Sequence, residues 1–166
     1  AITSVVGLAL SNMILYTYRT NTYIYQQSAA TDNARRGLEF ALQNLREATT
    51  GADGSYPVSV AATSSVTFYS DVDVDGSVER VRYFLTESTL YRGVTNPAGS
   101  PPSYTGQPEV TAAIAAYVKN FTANSSVFTY YAEDGTALTA PADPADVRTV
   151  GMGIMVDVDP NRTPTT

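Results

Sequence analysis

The sequence predicts an α+β fold in which a long N-terminal helix packs by its second half on an antiparallel β-sheet head. Residues 1–50 contain no proline and carry apolar residues at helical spacing. Residues 51–166 contain short alternating segments separated by turns, without the strand–helix–strand order of a parallel sheet. We therefore divide the chain into a helix at 1–50 and a β-rich globular head at 51–166. The helix has an apolar half at 1–25 and an amphipathic half at 26–50.

The second half of the helix has one apolar face. Between positions 34 and 48 the apolar residues recur three or four positions apart, as Ala34, Leu38, Ala41, Leu42, Leu45 and Ala48. Charged and amide side chains fill most of the other positions. This face is expected to pack on the sheet, and Gly51, Gly54 and Pro57 are expected to end the helix and begin a linker.

The first half of the helix is apolar on all sides. Ala1–Tyr16 carries no charge, and at about 1.5 Å per residue it extends roughly 24 Å, less than the ~30 Å hydrocarbon core of a bilayer. Tyrosines and Arg19 follow directly, as they do at membrane interfaces. Two interpretations stay open at this point: a segment surrounded by lipid or by other helices, and a core helix of a soluble domain.

The strongest strand pattern in the head is a three-stranded meander. Residues 66–69, 78–85 and 89–94 have strand character, and an Asp-rich turn at 71–76 and a tight turn at 87–88 separate them. In the middle strand, one face holds Glu79, Val81, Tyr83 and Leu85.

The rest of the head has a less regular pattern. Residues 95–109 are a Pro- and Gly-rich surface loop, and the apolar segment that follows is compatible with a helix or a strand. Further strands are predicted near 117–122, at 127–131 and along 147–158. The head is therefore expected to contain about four to six antiparallel strands.

The composition argues against two function classes. The chain has no His and no Cys, so the commonest general base and zinc ligand and all thiolate chemistry are absent. No GxSxG, HExxH or phosphate-binding glycine loop is present, and the only lysine, Lys119, lies in a predicted strand. We therefore expect no enzymatic activity and, calcium aside, no cofactor. The net charge of −6 argues against nucleic-acid binding, which requires clustered Lys and Arg.

The Asp-rich turn carries a candidate metal site. Asp71, Asp73 and Asp75 copy the opening of a calcium-binding loop, in which alternate acidic side chains surround a hard cation. The copy is partial, because Arg82 occupies the twelfth position, where a bidentate Glu belongs, although Glu79 could approach from the ninth. Two interpretations are kept, a calcium site and a hairpin turn that is merely rich in Asp.

Three asparagines are candidate glycosylation sites. Asn120, Asn124 and Asn161 each begin an Asn-x-Ser/Thr triplet, the acceptor pattern for N-glycosylation. Such triplets also arise by chance in a chain rich in Ser, Thr and Asn. Glycosylation at these positions is therefore kept as a hypothesis.

Several segments resemble the type IV pilin and pseudopilin family. The stretch ARRGLEFALQNLREATTGA is similar to the helix end of J-type minor pseudopilins of type II secretion and of W-type minor pilins. Their strands are similar to VTFYSDVDVDGSVERVRYFLTESTLYRGV, VKNF, FTYYAEDGTALT and ADVRTV. These segments follow the family's order and cover nearly the whole chain.

The resemblance implies a structural subunit that polymerises with copies of itself or with other pilin-like subunits. Its filament core would comprise Ile2, Val5, Val6, Gly7, Leu8, Leu10, Met13, Ile14 and Leu15. The resemblance also implies localisation in the inner membrane before assembly, and then in an extracellular filament that serves adhesion or in a periplasmic pseudopilus that serves secretion.

Family members usually begin with a methylated Phe and carry a Glu at the fifth position. This chain has no acidic residue before Asp32. Either about ten residues precede Ala1, enough to complete a membrane span, or the subunit is atypical. The rival hypothesis is a membrane-anchored calcium-binding or adhesion module that does not polymerise. Whether a filament subunit would be the major or a minor one is open.

Overall fold

The computed structural model describes residues 2–159, and for residues 2–9, 12 and 19 it describes the backbone only. One long helix is followed by eight strands within this part of the chain. The elements are α1 (Ile2–Arg46), β1 (Val58–Ala61), β2 (Ser65–Ser70), β3 (Glu79–Thr86), β4 (Thr89–Thr95), β5 (Val110–Ala115), β6 (Phe128–Tyr131), β7 (Ala137–Leu138) and β8 (Thr149–Met152). The predicted α+β fold with one N-terminal helix is confirmed.

The strands form two antiparallel sheets. The larger has five strands in chain order, β1-β2-β3-β4-β5, and the predicted meander of β2, β3 and β4 lies at its centre. The smaller has the order β7-β6-β8. Tyr130 of β6 links the two sheets, because its hydroxyl lies 2.8 Å from the carbonyl oxygen of Ala62 and 3.1 Å from that of Ser65.

The second half of α1 packs on the five-stranded sheet through the face that the sequence predicts. Ala34 and Ala41 are buried in the core that also contains the sheet residues Val66, Phe68, Val81, Tyr83 and Leu90. Asn44 is also buried, and its side-chain amide donates a hydrogen bond of 3.1 Å to the hydroxyl of Tyr83. This bond satisfies two polar groups that the packing of helix on sheet removes from water.

The predicted strand near 117–122 is wrong. This stretch consists of a bend and turns, apart from an isolated bridge between Val118 and Val156. Tyr117 has a positive φ of 61°, which lies outside the strand region of backbone conformation. A continuous strand therefore cannot pass through this position.

The predicted strand along 147–158 is much shorter, because β8 covers only Thr149–Met152. Asn120 provides the reason. Its buried side chain donates to the carbonyl oxygen of Gly153 at 2.9 Å and accepts from the backbone N–H of Met155 at 2.8 Å. These contacts use backbone groups that a longer strand would need for its ladder.

Other strands lie where the sequence was ambiguous or silent. The apolar segment that fitted a helix or a strand is β5, which pairs with β4 at the edge of the sheet. The predicted linker contains β1, and the short strand β7 was not predicted. The described residues thus hold more strands than expected, since strands of two to four residues are too short for a clear alternation pattern.

An ion pair crosses β4. The Nε atom of Arg82 donates to Glu109 Oε1 at 2.8 Å, and its Nη2 atom donates to the second carboxylate oxygen. Gly93 lies beneath the pair, since a Cβ there would be within 2.9 Å of three side-chain atoms of Glu109. The hydrogen bond from Arg82 lowers the pKa of Glu109, although burial of the carboxyl group acts in the opposite direction.

We expect this ion pair to make stability depend on pH in the acid range. Because the folded-state pKa of Glu109 is depressed, its contribution is present above the unfolded value of 4.5 and is lost as the pH falls through the folded-state pKa. Glu109→Gln should therefore flatten the acid limb of the stability curve. Urea unfolding between about pH 3 and pH 6 measures this slope. Glu133→Gln, at an exposed turn position, is the control, and equal slopes for both variants would contradict the expectation.

Candidate functional site

The N-terminal part of α1 exposes large apolar side chains to solvent. We call residues 10–25 the helical arm. Eight of its large apolar and aromatic side chains are more than half exposed, namely Leu10, Met13, Ile14, Leu15, Tyr16, Tyr18, Ile24 and Tyr25. Met13 to Tyr16 are consecutive, and successive residues point about 100° apart around a helix. The helical arm therefore presents apolar groups around its circumference and not along a single stripe.

The helical arm ends where α1 meets the head. The side-chain amide of Gln27 donates to the carbonyl oxygen of Val156 at 2.9 Å and accepts from the backbone N–H of Val158 at 2.9 Å. Ten residues further along, Gly37 lies against β5, and an added Cβ would be only 2.7 Å from the carbonyl oxygen of Ile114. From Gln27 onward, α1 is therefore fixed to the head by specific contacts.

The structure describes the side chains of four of the nine predicted filament-core residues. Leu10, Met13, Ile14 and Leu15 are all exposed in the single chain. The other five, Ile2, Val5, Val6, Gly7 and Leu8, have helical backbone, and their side chains lie outside the described part of the chain. That these residues contact other subunits stays a prediction.

The predicted localisation requires correction. No helix among the described residues is long and apolar enough to cross a membrane. Within the described residues, Thr17, Thr20 and Asn21 follow the apolar run before it reaches the length of a bilayer span. Membrane anchoring is therefore not supported, and the prediction of an inner-membrane location before assembly is wrong.

The Asp-rich turn between β2 and β3 is closed by its own carboxylates. Asp71 accepts hydrogen bonds from the backbone N–H groups of Asp75 and Gly76, at 3.2 and 3.0 Å. Asp75 accepts from the backbone N–H of Ser77 at 2.7 Å. The side chain of Asp75 is therefore used to shape the turn, as the hairpin-turn interpretation expects.

A buried carboxylate from β3 joins this turn. Glu79 is 0% exposed, and Asp71, Asp73 and Glu79 each offer one carboxylate oxygen to a group whose members lie within 4.8 Å of one another. Glu79 Oε2 accepts from the backbone N–H of Val72 at 2.9 Å, whereas Oε1 has no hydrogen-bond partner among residues 2–159. Burial raises the pKa of Glu79, the Val72 hydrogen bond opposes this, and the nearby aspartates raise it further.

Ser70 brings a second unpartnered oxygen to the same place. It pairs with Glu79 across β2 and β3, and its buried hydroxyl likewise has no partner in the described chain. Directly paired residues share a face of the sheet, so the two unpartnered oxygens lie on one side. Sequence reasoning put Asp75 in the metal group and Glu79 only at its margin. The alternation of β3 was the signal in the sequence that could have indicated a buried Glu79. It places Glu79 on the same face as Val81 and Tyr83, which are both buried in the structure.

The candidate glycosylation sites differ in accessibility. Asn120 is buried, and its amide nitrogen donates to the carbonyl oxygens of Ser126 and Gly153, at 3.3 and 2.9 Å. A glycan on this nitrogen is therefore incompatible with the folded chain. Asn124 lies exposed in a turn, where glycosylation stays a prediction. Asn161 lies outside the described residues.

A groove of about 790 Å³ lies between the end of α1, β1 and the segment before β8. Its described ionisable lining side chains are Arg46, Tyr56 and Arg148. Arg148 donates to the carbonyl oxygens of Ala145 and Val147, at 2.7 and 3.1 Å, so its guanidinium is held by its own loop. The described lining of this groove contains no Asp or Glu, so it offers no carboxylate beside the two arginines for acid–base chemistry. The expectation that the protein is not an enzyme stays a prediction.

No family model, curated protein or solved structure matches the chain. The resemblance to pilins and pseudopilins therefore depends on the sequence segments quoted above. A long N-terminal helix followed by an antiparallel sheet is consistent with a pilin-like layout without identifying one.

Proposed function

We propose that this protein is a structural subunit of a filament of the type IV pilus or pseudopilus kind, which polymerises through the N-terminal half of α1 and displays a β-rich head. One observation carries the proposal. The helical arm leaves eight large apolar or aromatic side chains in solvent although the head and the second half of α1 already share a buried core. A contiguous exposed apolar surface of this kind marks an interaction site in a folded protein.

Burial of the helical arm is the driving force in this proposal. Moving one side chain such as Met13, Ile14 or Leu15 from full exposure to full burial contributes about 1.5–3 kcal/mol. A binding groove on a partner would cover only one side of the helix. A bundle of identical arms surrounds each helix on all sides, which fits the distribution of apolar residues around the circumference.

The small residues of α1 are compatible with such a bundle. Gly7, Ala9 and Ser11 are spaced two apart in the apolar run, and small side chains allow helix backbones to approach closely. The first charged residues in the sequence, Arg19 and Asp32, follow this run. Assembly through the run would therefore keep charge out of the centre and leave the acidic heads on the outside, where net charge favours solubility.

The absence of cysteine makes disulfide trapping a direct test. Ile14→Cys is expected to give disulfide-linked dimers under mild oxidation, because neighbouring arms lie side by side in the assembly and each chain carries one cysteine. Phe121→Cys, at a 77% exposed position on the head, is the matched control and is expected to stay monomeric. Non-reducing gel electrophoresis of assembled protein measures the difference. Equal trapping of both variants would contradict the proposal.

A charge at the same position provides the complementary test. Ile14→Asp should abolish the filaments seen by negative-stain electron microscopy, because it places an unpaired carboxylate in an apolar bundle. The thermal unfolding of the head should not change, since Ile14 is 68% exposed in the single chain. Filaments of normal length and number from Ile14→Asp would refute assembly through the helical arm.

A further inference from the structure

We propose that the turn between β2 and β3 binds a calcium ion through Asp71, Asp73 and Glu79. The sequence suggested Asp71, Asp73 and Asp75, and the geometry replaces the third member of that set. Oxygens of the revised set lie within 4.8 Å of one another. Two oxygens bound to one calcium at 2.3–2.6 Å are at most about 5 Å apart, so the group already has calcium-compatible dimensions. This inference does not depend on the proposed filament function.

The buried oxygen of Glu79 is the observation that points to a ligand. The carboxyl group of Glu79 is 0% exposed and accepts one hydrogen bond through Oε2, so its Oε1 lies away from solvent and has no donor among residues 2–159. Buried polar groups in folded proteins are almost always satisfied, because an unmet one costs the full desolvation penalty. Ser70 pairs with Glu79 across the two strands, and its Oγ likewise has no hydrogen-bond partner among the described residues. One cation would satisfy the carboxylate and also attract the hydroxyl oxygen.

The backbone of the turn holds Asp71 in place and leaves the carboxylate of Asp73 available. Asp71 is fixed by the N–H groups of Asp75 and Gly76, and these bonds leave lone pairs on both of its oxygens. Asp73 is exposed, and its carboxylate accepts no hydrogen bond from the described residues of this turn, so it is free to bind a cation. Asp75 accepts from the backbone N–H of Ser77 and does not belong to the group whose oxygens lie within 4.8 Å of one another.

The donor set selects the class of cation. Three carboxylates and a hydroxyl are hard oxygen ligands, and the chain has no His or Cys to favour zinc or copper. Calcium accepts six to eight oxygens in flexible geometry, including backbone carbonyls and water. Magnesium requires near-ideal octahedral geometry and gives up its water reluctantly. A half-exposed turn with irregular spacing therefore favours calcium over magnesium.

Calcium-dependent thermal unfolding of the whole chain tests the site. At about 100 times the dissociation constant, calcium is expected to raise Tm by roughly 5–10 °C over the value in EDTA. Glu79→Gln should remove this shift, and Asp73→Asn, at an exposed position where misfolding is not expected, should remove it as well. Asp134→Asn is the control that keeps the shift, because Asp134 belongs to a different turn.

The outcomes separate the proposal from its rivals. Isothermal titration of calcium should give one site in the wild type and at least tenfold weaker binding in Glu79→Gln. No calcium response in the wild type would overturn the proposal. An equal response in all variants would overturn it in favour of general charge screening. Repeating the titration with Ile14→Asp keeps the result independent of assembly, whether or not the filament proposal holds.

Discussion

Replacing Phe68 by Ala is expected to lower the free energy of unfolding by about 3–5 kcal/mol. Phe68 is 0% exposed on β2, and its ring stacks on that of Tyr83 with a centroid separation of 6.0 Å and an interplanar angle of 9°. Both side chains lie in the core between the five-stranded sheet and α1. Truncation therefore removes apolar burial and leaves a cavity in the layer that holds the helix to the sheet.

The loss is large relative to the whole stability of a domain, which is typically about 5–15 kcal/mol. Urea unfolding followed by far-ultraviolet circular dichroism measures it, with an unchanged m-value as the sign that the same structure unfolds. Phe121→Ala removes the same ring from a position that is 77% exposed, and its effect should stay within about 0.5 kcal/mol. A loss below about 1 kcal/mol for Phe68→Ala would mean that the core collapses around the cavity.

The central meander was predictable because each of its strands alternates over several residues and each turn has its own chemistry. Glu79, Val81 and Tyr83 share one face in the sequence pattern, and all three are buried in the structure. The same alternation places Arg82 on the other face, where it pairs with Glu109. Local pattern therefore determines both the pairing and which side of each strand lies in the core.

The parts that could not be predicted depend on contacts between distant residues. Asn120 redirects the backbone near Gly153 through its side chain, and nothing in the alternation of the last segment indicates this. Asn44 is polar on an otherwise apolar helix face, and its burial makes sense only when Tyr83 is placed opposite. The acidic group is a third case, since alternation puts Glu79 inside but does not show that its Oε1 lacks a partner.

The role of Gly37 also depends on a contact with a distant residue, which the sequence pattern does not show. Its replacement is expected to have the second large effect on stability. In the sequence it is a helix-weakening residue between Ala34 and Ala41. In the structure these two alanines are buried and Gly37 lies on β5, so close that an added Cβ would be 2.7 Å from Ile114 O and 3.3 Å from Ile114 C. Both neighbours are backbone atoms and cannot rotate away. Gly37→Val must therefore push the helix and the edge strand apart.

We expect Gly37→Val to lower the free energy of unfolding by about 1–3 kcal/mol, as overpacked cores do, despite a slightly better helix propensity. Ala29→Val is the control, since Ala29 is exposed on the same helix and should lose only a few tenths of a kcal/mol through propensity. Native-state hydrogen exchange should show lost protection first in β5, which has a partner strand on one side only. Unchanged stability, or uniform loss of protection, would refute a close contact at Gly37.

This contact also connects the fold to the proposed assembly. Gly37 and Gln27 both fix α1 to the head, and the direction in which the helical arm leaves the head follows from them. A displaced helix would present the same apolar side chains at a different angle. Gly37→Val should therefore reduce filament formation even at temperatures where the head remains folded, whereas Ala29→Val should not. If Gly37→Val assembled normally while losing stability, the angle between arm and head would not matter for polymerisation.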